Sequence, residues 1–362
     1  MTETLPPAEL IEENEHPWHS DRQPAGCPHC QRIFLVPDNR IGSTCPLCRR
    51  GNLTTQPILS RPGVPEKLLP FKINRQQLIG IYEKFVLGMW IKPEDFKTEL
   101  LLNRTIPVFW PLWLVDSDVS GRWQMEAGFD YQVESAKETY VSGQWQSQKE
   151  VETRIRWEPR LGQVNTHIEN VSVPALDGHK KRQALTGNYA LSQASDFEPQ
   201  LLGSAVLEMP DLPPEQAWPQ AKPLVDQAIG NICVDASQAQ HQRNFTLEAI
   251  YEHLHWTEFF LPMYTTFYTD DNGDPQILFV NGESGRISGL RLASQKKGFQ
   301  IAGIMAVIAG VFLLLALLGF LLTMILPLAS IVAALAGLLG IALGIAAIVP
   351  AVWPSQWNRK QR

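Results

Sequence analysis

The sequence has no surplus of basic charge. Its 362 residues carry 31 Lys and Arg against 37 Asp and Glu, a formal net charge of −6. Because phosphate contacts dominate nucleic-acid affinity, this balance makes nucleic acid an unfavoured partner. The sequence also lacks the G-x-S-x-G, H-E-x-x-H and phosphate-loop patterns, so we recognise no catalytic constellation. An enzyme is therefore not the leading hypothesis.

Charged residues are also missing from one long segment near the C-terminus. No Asp, Glu, Lys or Arg occurs between Lys297 and Arg359. Pro327 divides this segment into two apolar runs, residues 301–326 and 331–352, and each could cross a hydrocarbon layer of about 30 Å. Two uncharged runs of this length are rare in soluble cores. We therefore expect a transmembrane helical hairpin over residues 299–352.

Basic residues flank both outer ends of this hairpin, and the connecting turn has none. They are Arg291, Lys296 and Lys297 before it and Arg359, Lys360 and Arg362 after it. The positive-inside rule then predicts a multi-pass protein of the cell membrane with both termini in the cytoplasm. Residues 353–362 would form a basic cytosolic tail. The first residues contain no apolar stretch, so we expect no secretory signal peptide.

Small residues recur every four positions in both apolar runs. They are Ala302, Ala306 and Gly310 in the first and Ala336, Gly340 and Gly344 in the second. Small side chains let two membrane helices approach closely. We expect these residues to pack the hairpin on itself, and a role in homo-oligomer or partner contacts is the alternative.

Four of the five cysteines form a C-x2-C-x14-C-x2-C array, Cys27, Cys30, Cys45 and Cys48. Each short pair can aim two thiolates at one ion, and four thiolates complete a tetrahedral site with no open position. The array predicts structural Zn²⁺. Two disulfides, a redox pair and an iron centre are alternatives, of which the first two are disfavoured in a reducing cytosol. We expect His29 to be an exposed turn residue and Cys233 to be a small core residue.

The composition divides the rest of the chain into segments. We expect a disordered N-terminal segment (1–24), a zinc ribbon (25–52), a linker (53–69) and a cytosolic β-rich domain (70–298). Helices are predicted over residues 75–89, capped by Asn74, from Pro93 to before Pro107, and around 214–234. The predicted fold class is α+β, a small zinc ribbon plus a largely antiparallel β-rich domain with a few helices, followed by the two-helix hairpin.

Aromatic and β-branched runs in the β-rich domain predict strands, with turns at Gly and Asp. Two stretches around Pro111 and Pro262 share an order of strand, Asp-rich turn and strand, which indicates either an internal duplication or two hairpins with similar turns. Eight of the tryptophans fall here, and we expect them to build a core rather than a ligand groove. His253 and His255 would share a strand face, too few for a metal site. The segment VNGESG predicts a hairpin turn.

The order of several short motifs resembles bacterial membrane-anchored zinc-ribbon proteins, which are often labelled primosomal or helicase-like. These motifs are CPHC and CPLC, LPFKI, KPEDFK, PVFWPLWLVD, VSVPA, FLPMY and FVNGESGRISG, followed by the apolar hairpin. The resemblance runs from about Cys27 to the last apolar run, and the sequence departs from it at Ser284 and Arg286. It implies the bacterial inner membrane, metal ligation by the four cysteines, no known catalytic residue, and phage-shock-protein-A-like or flotillin-like peripheral partners in membrane stress.

The leading hypothesis is a membrane-anchored, cytosol-facing zinc-ribbon adaptor or scaffold that recruits partner proteins at the inner membrane face. A closed metal site, an anchor without ionisable groups and the missing catalytic patterns support it. One alternative is a membrane-surface enzyme, or a small-molecule or lipid-binding protein, that uses the Trp-rich domain. Another is a nucleic-acid-binding membrane tether.

Overall fold

A computed structural model describes residues 22–56, 65–141, 143–322 and 328–361. Most of the expected disordered segment, the middle of the expected linker and the break at Pro327 lie outside these residues. Over the described residues the chain combines helices with one large sheet of eleven strands. The expected mixture of helices with a largely antiparallel sheet is confirmed.

The strands are β1 (Arg22–Gly26), β2 (Ile33–Pro37), β3 (Thr54–Thr55), β4 (Lys67–Leu68), β5 (Ile106–Val141), β6 (Gln144–Pro174), β7 (Ser195–Asp196), β8 (Val206–Glu208), β9 (His241–Thr269), β10 (Pro275–Asn281) and β11 (Ile287–Gly289). The main path through the sheet runs β11-β10-β9-β5-β8-β2-β1-β3, and β6 pairs with β5. The two strands of the metal-binding segment therefore belong to the same sheet as the rest of the domain. They do not form a separate module joined by a linker.

Three strands are far longer than the rest and form a ribbon. β5, β6 and β9 contain 36, 31 and 29 residues, so β5 alone extends roughly 120 Å at about 3.3 Å per residue. β9 pairs with β5 as far as Gly128 opposite His241. Beyond that point β5 and β6 continue alone as a two-stranded hairpin of roughly 40 Å.

The turns expected at Gly and Asp inside these strands were wrong. Gly121 and Gly162 lie within continuous strands, and a Cβ added at Gly162 would lie 2.9 Å from the Trp123 ring. Here glycine makes room for a cross-strand aromatic ring rather than for a turn. Asp116 and Asp118 border a β-bulge, not a turn. The stretch around Pro111 therefore has no strand–turn–strand order, and the symmetry that a duplication needs is missing.

The helices are α1 (Arg75–Leu87), α2 (Thr98–Asn103), α3 (His179–Thr186), α4 (Pro214–Ser237), α5 (Gln295–Leu322) and α6 (Ala329–Gln361). The predicted cap of α1 is confirmed, since Asn74 and Gln77 form a reciprocal capping box. α2 begins at Thr98 rather than at Pro93, because the backbone from Pro93 to Lys97 forms turns. α4 continues through Pro219 and Pro223 and buries Cys233, as expected for a small core residue.

The base of the ribbon is covered on one face by α4. Val225, Ile229 and Cys233 of the helix pack with Val119 and Ile168 of the strands, and Trp218 and Trp123 lie partly buried beside them. Other tryptophans fill neighbouring clusters, since Trp110 is 0% and Trp113 5% exposed. The expectation that tryptophans build the core holds at these positions. Trp90 and Trp145 are exceptions, 58% and 69% exposed.

α5 and α6 pack against each other, but not wholly along the expected stripe. Gly340 is buried, and a Cβ added there would lie 2.8 Å from Leu313 Cγ. A Cβ added at Gly310 would meet nothing within 4 Å, because the neighbouring Ala309 faces the partner helix instead. Ala306 is exposed. The face of α5 that contacts α6 therefore includes Ala309 rather than the predicted Gly310. The remaining predicted positions, Ala302, Ala336 and Gly344, are partly buried.

The expected basic tail is part of α6, which continues to Gln361. The end of this helix is fixed to the chain just before α5. Trp357 Nε1 donates to Arg291 O at 2.6 Å, and the Asn358 side chain bonds both backbone groups of Ala293 at 2.7 and 3.1 Å. These bonds close the base of the helical hairpin.

Candidate metal centre

The four cysteines of the array meet at one point. Their Sγ atoms all lie within 4.8 Å of one another, with Cys27 3.5 Å from Cys48 and Cys30 3.7 Å from Cys45. A tetrahedron with metal–sulfur bonds of about 2.3 Å has sulfur–sulfur edges of about 3.8 Å. A disulfide needs about 2.05 Å, and all four side chains are free thiols. The donor set fits a metal ion.

Two matching turns deliver the thiols. The amide of Gln31 donates to Cys27 O at 2.8 Å, and the amide of Arg49 donates to Cys45 O at 3.2 Å. Both Gln31 and Arg49 adopt left-handed backbone angles, with φ of 58° and 57°. Each C-P-x-C sequence therefore folds into the same knuckle. His29 is exposed within the first knuckle, as expected.

Gly51 gives the first thiol its space. A Cβ at this position would lie 2.7 Å from Cys27 Sγ and 3.1 Å from the His29 Cβ. The amide of Cys45 also donates to Gly51 O at 2.8 Å. Glycine here lets backbone and sulfur approach closely. The sequence pattern did not indicate this residue, because only the folded geometry brings it to the sulfur.

Burial and shared hydrogen bonds shift the pKa values of three thiols, those of Cys27, Cys30 and Cys45. The hydrogen bond shared by Cys30 and Cys45 lowers the pKa of Cys30 to about 5 and raises that of Cys45, whose burial raises it further. Burial likewise raises the pKa of Cys27. A bound cation would offset the repulsion among the thiolates.

The metal centre is packed into the main core. Cys27 and Cys45 are 2% and 0% exposed, in one cluster with Trp110 and Phe259. β2 pairs with β8, and β8 pairs with β5. The site therefore braces the root of the long ribbon rather than presenting a free surface.

The basic residues near the cysteines make different contacts from one another. Arg32 pairs with Glu208 at 3.1 Å and with Asp211 at 2.7 Å, so it ties β2 to the end of β8. Arg49 is partly buried, and burial lowers its pKa to about 10. The charges of Cys45 and Cys48 act on Arg49 in the opposite direction and raise its pKa.

Arg49 also joins the second knuckle to the base of the sheet. Its Cζ and that of Arg104 both lie 4.8 Å from the centre of the Phe267 ring. Arg104 makes two hydrogen bonds to Asp95, at 2.5 and 2.9 Å, and Asp95 accepts from Thr269 N at 2.7 Å. Burial raises the pKa of Asp95, but these hydrogen bonds outweigh it and hold that pKa below its usual value.

A second path leads from the same knuckle to the apolar helices. Arg50 lies 3.3 Å from Asp274 in the turn between β9 and β10. In the same turn Asp271 accepts a hydrogen bond from Lys296 N at 2.9 Å, in the first turn of α5. The metal centre is thus two contacts away from the start of the apolar hairpin.

His253 and His255 do not form a site together. The bulge between Asp116 and Asp118 separates them, so His253 bonds Asp118 at 3.0 Å and His255 bonds Glu66 at 3.0 Å. VNGESG forms the expected β10–β11 hairpin turn, in which the Asn281 side chain accepts hydrogen bonds from the amides of Glu283 and Ser284.

The sequence did not indicate a cleft that lies between the sheet, α3 and α4. It holds about 760 Å³, with Trp110, Leu112 and Leu261 as an apolar floor. His179 is 8% exposed, and its Nδ1 has no partner in the described part of the chain. Burial, and secondly the charge of Arg182, lower the pKa of His179, so the ring stays neutral.

Comparison with family models, curated proteins and solved structures found no match for this chain. The resemblance drawn from the motifs therefore stays a prediction. The metal centre and the two apolar helices stand on their own geometry.

Proposed function

We propose that this protein is a membrane-anchored binding protein of the bacterial inner membrane, with the sheet and both termini in the cytoplasm. Two observations support the anchor. The most apolar 18-residue stretches of α5 and α6 have mean hydropathies of 2.9 and 2.6, and only 6% and 22% of these stretches is buried. A core helix of a soluble protein would be mostly buried. Basic residues at the outer ends support the orientation.

The ion we assign to the metal centre is zinc, in a structural role. Four thiolates fill a tetrahedral site and leave no position for water or substrate. The buried cysteines and the ties through Arg49 and Arg50 support a brace at the root of the ribbon. Docking is therefore assigned to the ribbon and not to the knuckles.

The proposed binding role rests on the far end of the ribbon, where the β5–β6 hairpin turns. Tyr140 and Trp145 are directly paired across β5 and β6, with ring centres 5.2 Å apart. They are 59% and 69% exposed. Tyrosine and tryptophan dominate the binding energy of many interfaces. An exposed pair at the end of a strand roughly 120 Å long supports a partner-binding arm.

The test is crosslinked affinity isolation of the full chain from its native membrane, with captured proteins quantified by mass spectrometry. The variant is Tyr140→Ala combined with Trp145→Ala, and the matched control is Val151→Ala, an exposed apolar residue lower on the same hairpin. We expect the pair variant to lose a specific set of proteins that the control retains. Equal capture by all three proteins would refute docking at the tip. Phage-shock-protein-A-like or flotillin-like partners are the classes to look for.

The anchor has its own test. A cysteine replacing Leu328, which is 77% exposed at the turn of the hairpin, should react with an impermeant thiol reagent added outside intact cells. A cysteine replacing Val151 should react only after the cells are opened. Labelling of Val151→Cys in intact cells would refute the orientation.

The cleft beside His179 favours a second candidate function, the binding of a small organic anion with an apolar part. Lys180 is the single charged residue among those described in its lining, and Gln183 and Asn188 add amide donors. Titration calorimetry with 2-naphthalenesulfonate would test it. Saturable heat that Lys180→Ala abolishes supports this function, and no saturable heat counts against it.

A further inference from the structure

Two large apolar side chains that do not belong to α5 or α6 are exposed to solvent near the start of the helical hairpin. Leu87 is 76% exposed at the end of α1, and Trp90 is 58% exposed three residues later. Their neighbours Val86 and Met89 are buried at 6% and 3%. The buried residues fix this segment in the core, so the backbone itself directs Leu87 and Trp90 outward. Neither the metal centre nor the ribbon uses them.

Trp90 is in contact with the helical hairpin. The Trp90 ring lies 5.5 Å from that of Trp353, which stacks on Trp357 at 5.2 Å. Trp357 is bonded to the chain before α5. On α5, one turn after its start, Phe299 is 60% exposed. The three tryptophan rings therefore form one aromatic surface that runs from the β-rich domain onto α6.

One basic side chain contacts the rings directly, and other basic residues lie on the same segments. The Arg291 guanidinium lies 5.1 Å from the centre of the Phe85 ring and 5.7 Å from that of Trp357. Lys297 lies 3.8 Å from Glu94, whose side chain is 86% exposed. Lys84, Lys92, Lys296, Arg359 and Lys360 lie on the same segments. Aromatic rings at the border of an apolar span, bordered by cations, are typical of the headgroup layer of a membrane.

We propose that Leu87 and Trp90 insert into the headgroup layer of the leaflet from which α5 and α6 descend, so that the β-rich domain rests on the lipid surface. The occupant of this surface is an anionic phospholipid leaflet. The inference rests on the proposed membrane anchor. It adds a second attachment that holds the domain, and with it the ribbon, at a fixed angle to the bilayer.

The test uses the full chain in vesicles of phosphatidylcholine and phosphatidylglycerol at a ratio of about 3:1, an anionic surface of the kind that attracts basic segments. Cys233 is replaced by Ala, and a polarity-sensitive nitrobenzoxadiazole label is attached at Leu87→Cys or Trp90→Cys. Matched controls are Glu83→Cys, exposed one turn earlier on α1, and Leu161→Cys, 82% exposed on the ribbon. Quenching by nitroxide lipids is compared with quenching by aqueous iodide.

We expect the labels at positions 87 and 90 to be quenched several-fold more by nitroxide lipid than those at 83 and 161, and several-fold less by iodide. Labels at 87 and 90 that respond to iodide as the ribbon control does would overturn the inference. The Leu328→Cys reaction separates the two proposals. If Leu328→Cys reacts from outside while label 87 lies in water, the anchor stands and the surface attachment fails.

Discussion

The guanidinium of Arg49 lies 4.8 Å from the ring centre of Phe267, and this contact connects the second knuckle of the cysteine array to β9. Arg49 directly follows Cys48 in the sequence, so the knuckle fixes its backbone. We expect a double-mutant cycle with Arg49→Met and Phe267→Leu to give a coupling energy of about 0.5–2 kcal/mol. Urea unfolding followed by tryptophan fluorescence measures it. Strictly additive effects would mean that the two side chains do not stabilise each other.

Metal removal should destabilise the sheet and not only the knuckles, because Cys27 and Cys45 belong to the main core. We expect one zinc ion per chain by elemental analysis, and a fall in thermal midpoint on treatment with a strong chelator. Structural zinc contributes on the order of 10–16 kcal/mol of apparent binding energy in small modules.

The cysteine variants sharpen this prediction. Cys27→Ser with Cys30→Ser should lose the metal, whereas Cys233→Ser, in a buried helix position away from the array, should keep it. Full metal content in the double variant would refute the four-thiolate site.

Replacing Gly51 or Gly80 by alanine should have different effects: the first should weaken zinc binding, and the second should stabilise the fold. At Gly51 the new methyl would lie 2.7 Å from Cys27 Sγ, whereas at Gly80, inside α1, it would meet nothing within 4 Å. We expect Gly51→Ala to weaken zinc binding at least tenfold in a competition assay with a chromophoric chelator. Gly80→Ala should raise stability by about 0.5–1 kcal/mol and leave zinc affinity unchanged. Equal zinc affinity in both variants would contradict the role given to Gly51.

The helical hairpin offers a similar pair. Gly340→Val would press on Leu313, where even a Cβ comes within 2.8 Å, whereas Gly310→Val faces open space. Small residues at membrane helix contacts permit close packing. We expect only Gly340→Val to lower the yield of a disulfide engineered between α5 and α6. If Gly310→Val lowers the yield instead, the contact line lies where the sequence stripe placed it.

Glu258 gives a pH-dependent prediction. It is 1% exposed opposite Trp113, and neither carboxyl oxygen has a partner in the described structure. Burial raises its pKa well above the usual value, so the folded protein holds a proton that the unfolded chain releases above about pH 4.3. Stability should therefore fall as pH rises from that point toward the raised pKa. We expect Glu258→Leu to flatten this fall in urea unfolding, and an unchanged pH profile would contradict it.

The sequence predicts local features better than distant ones. Asn74, the cysteine array and the apolar runs carry their own signals, because capping, metal ligation and membrane insertion depend on residue type at short spacing. The length of β5 could not be predicted from the sequence, because Gly121 and Asp118 are typical turn residues. Only the structure shows that Gly121 lies opposite Ala249 and that Asp118 bonds His253. The sequence also could not show that the knuckles belong to the large sheet, because β2 joins it by pairing with β8, which is distant in sequence. The positions of His179 and Leu87 became visible only once packing had fixed them.

The pairing of β5 on its two sides differs greatly in sequence distance. β6 follows β5 through a tight turn, so this hairpin can close soon after both strands are synthesised. β9 joins the other side from far along the chain, as in the bond from Ser117 to Glu252, 135 positions apart. Until the ribosome has released β9, one edge of β5 stays open over much of its length, and open strand edges invite pairing with other chains. Only the short strands β10 and β11 separate β9 from the apolar helices. Under the proposed membrane anchor, closure of the ribbon and delivery of the hairpin to the membrane compete in time. A holding chaperone is then more valuable to this chain than to a protein of similar size built from local contacts.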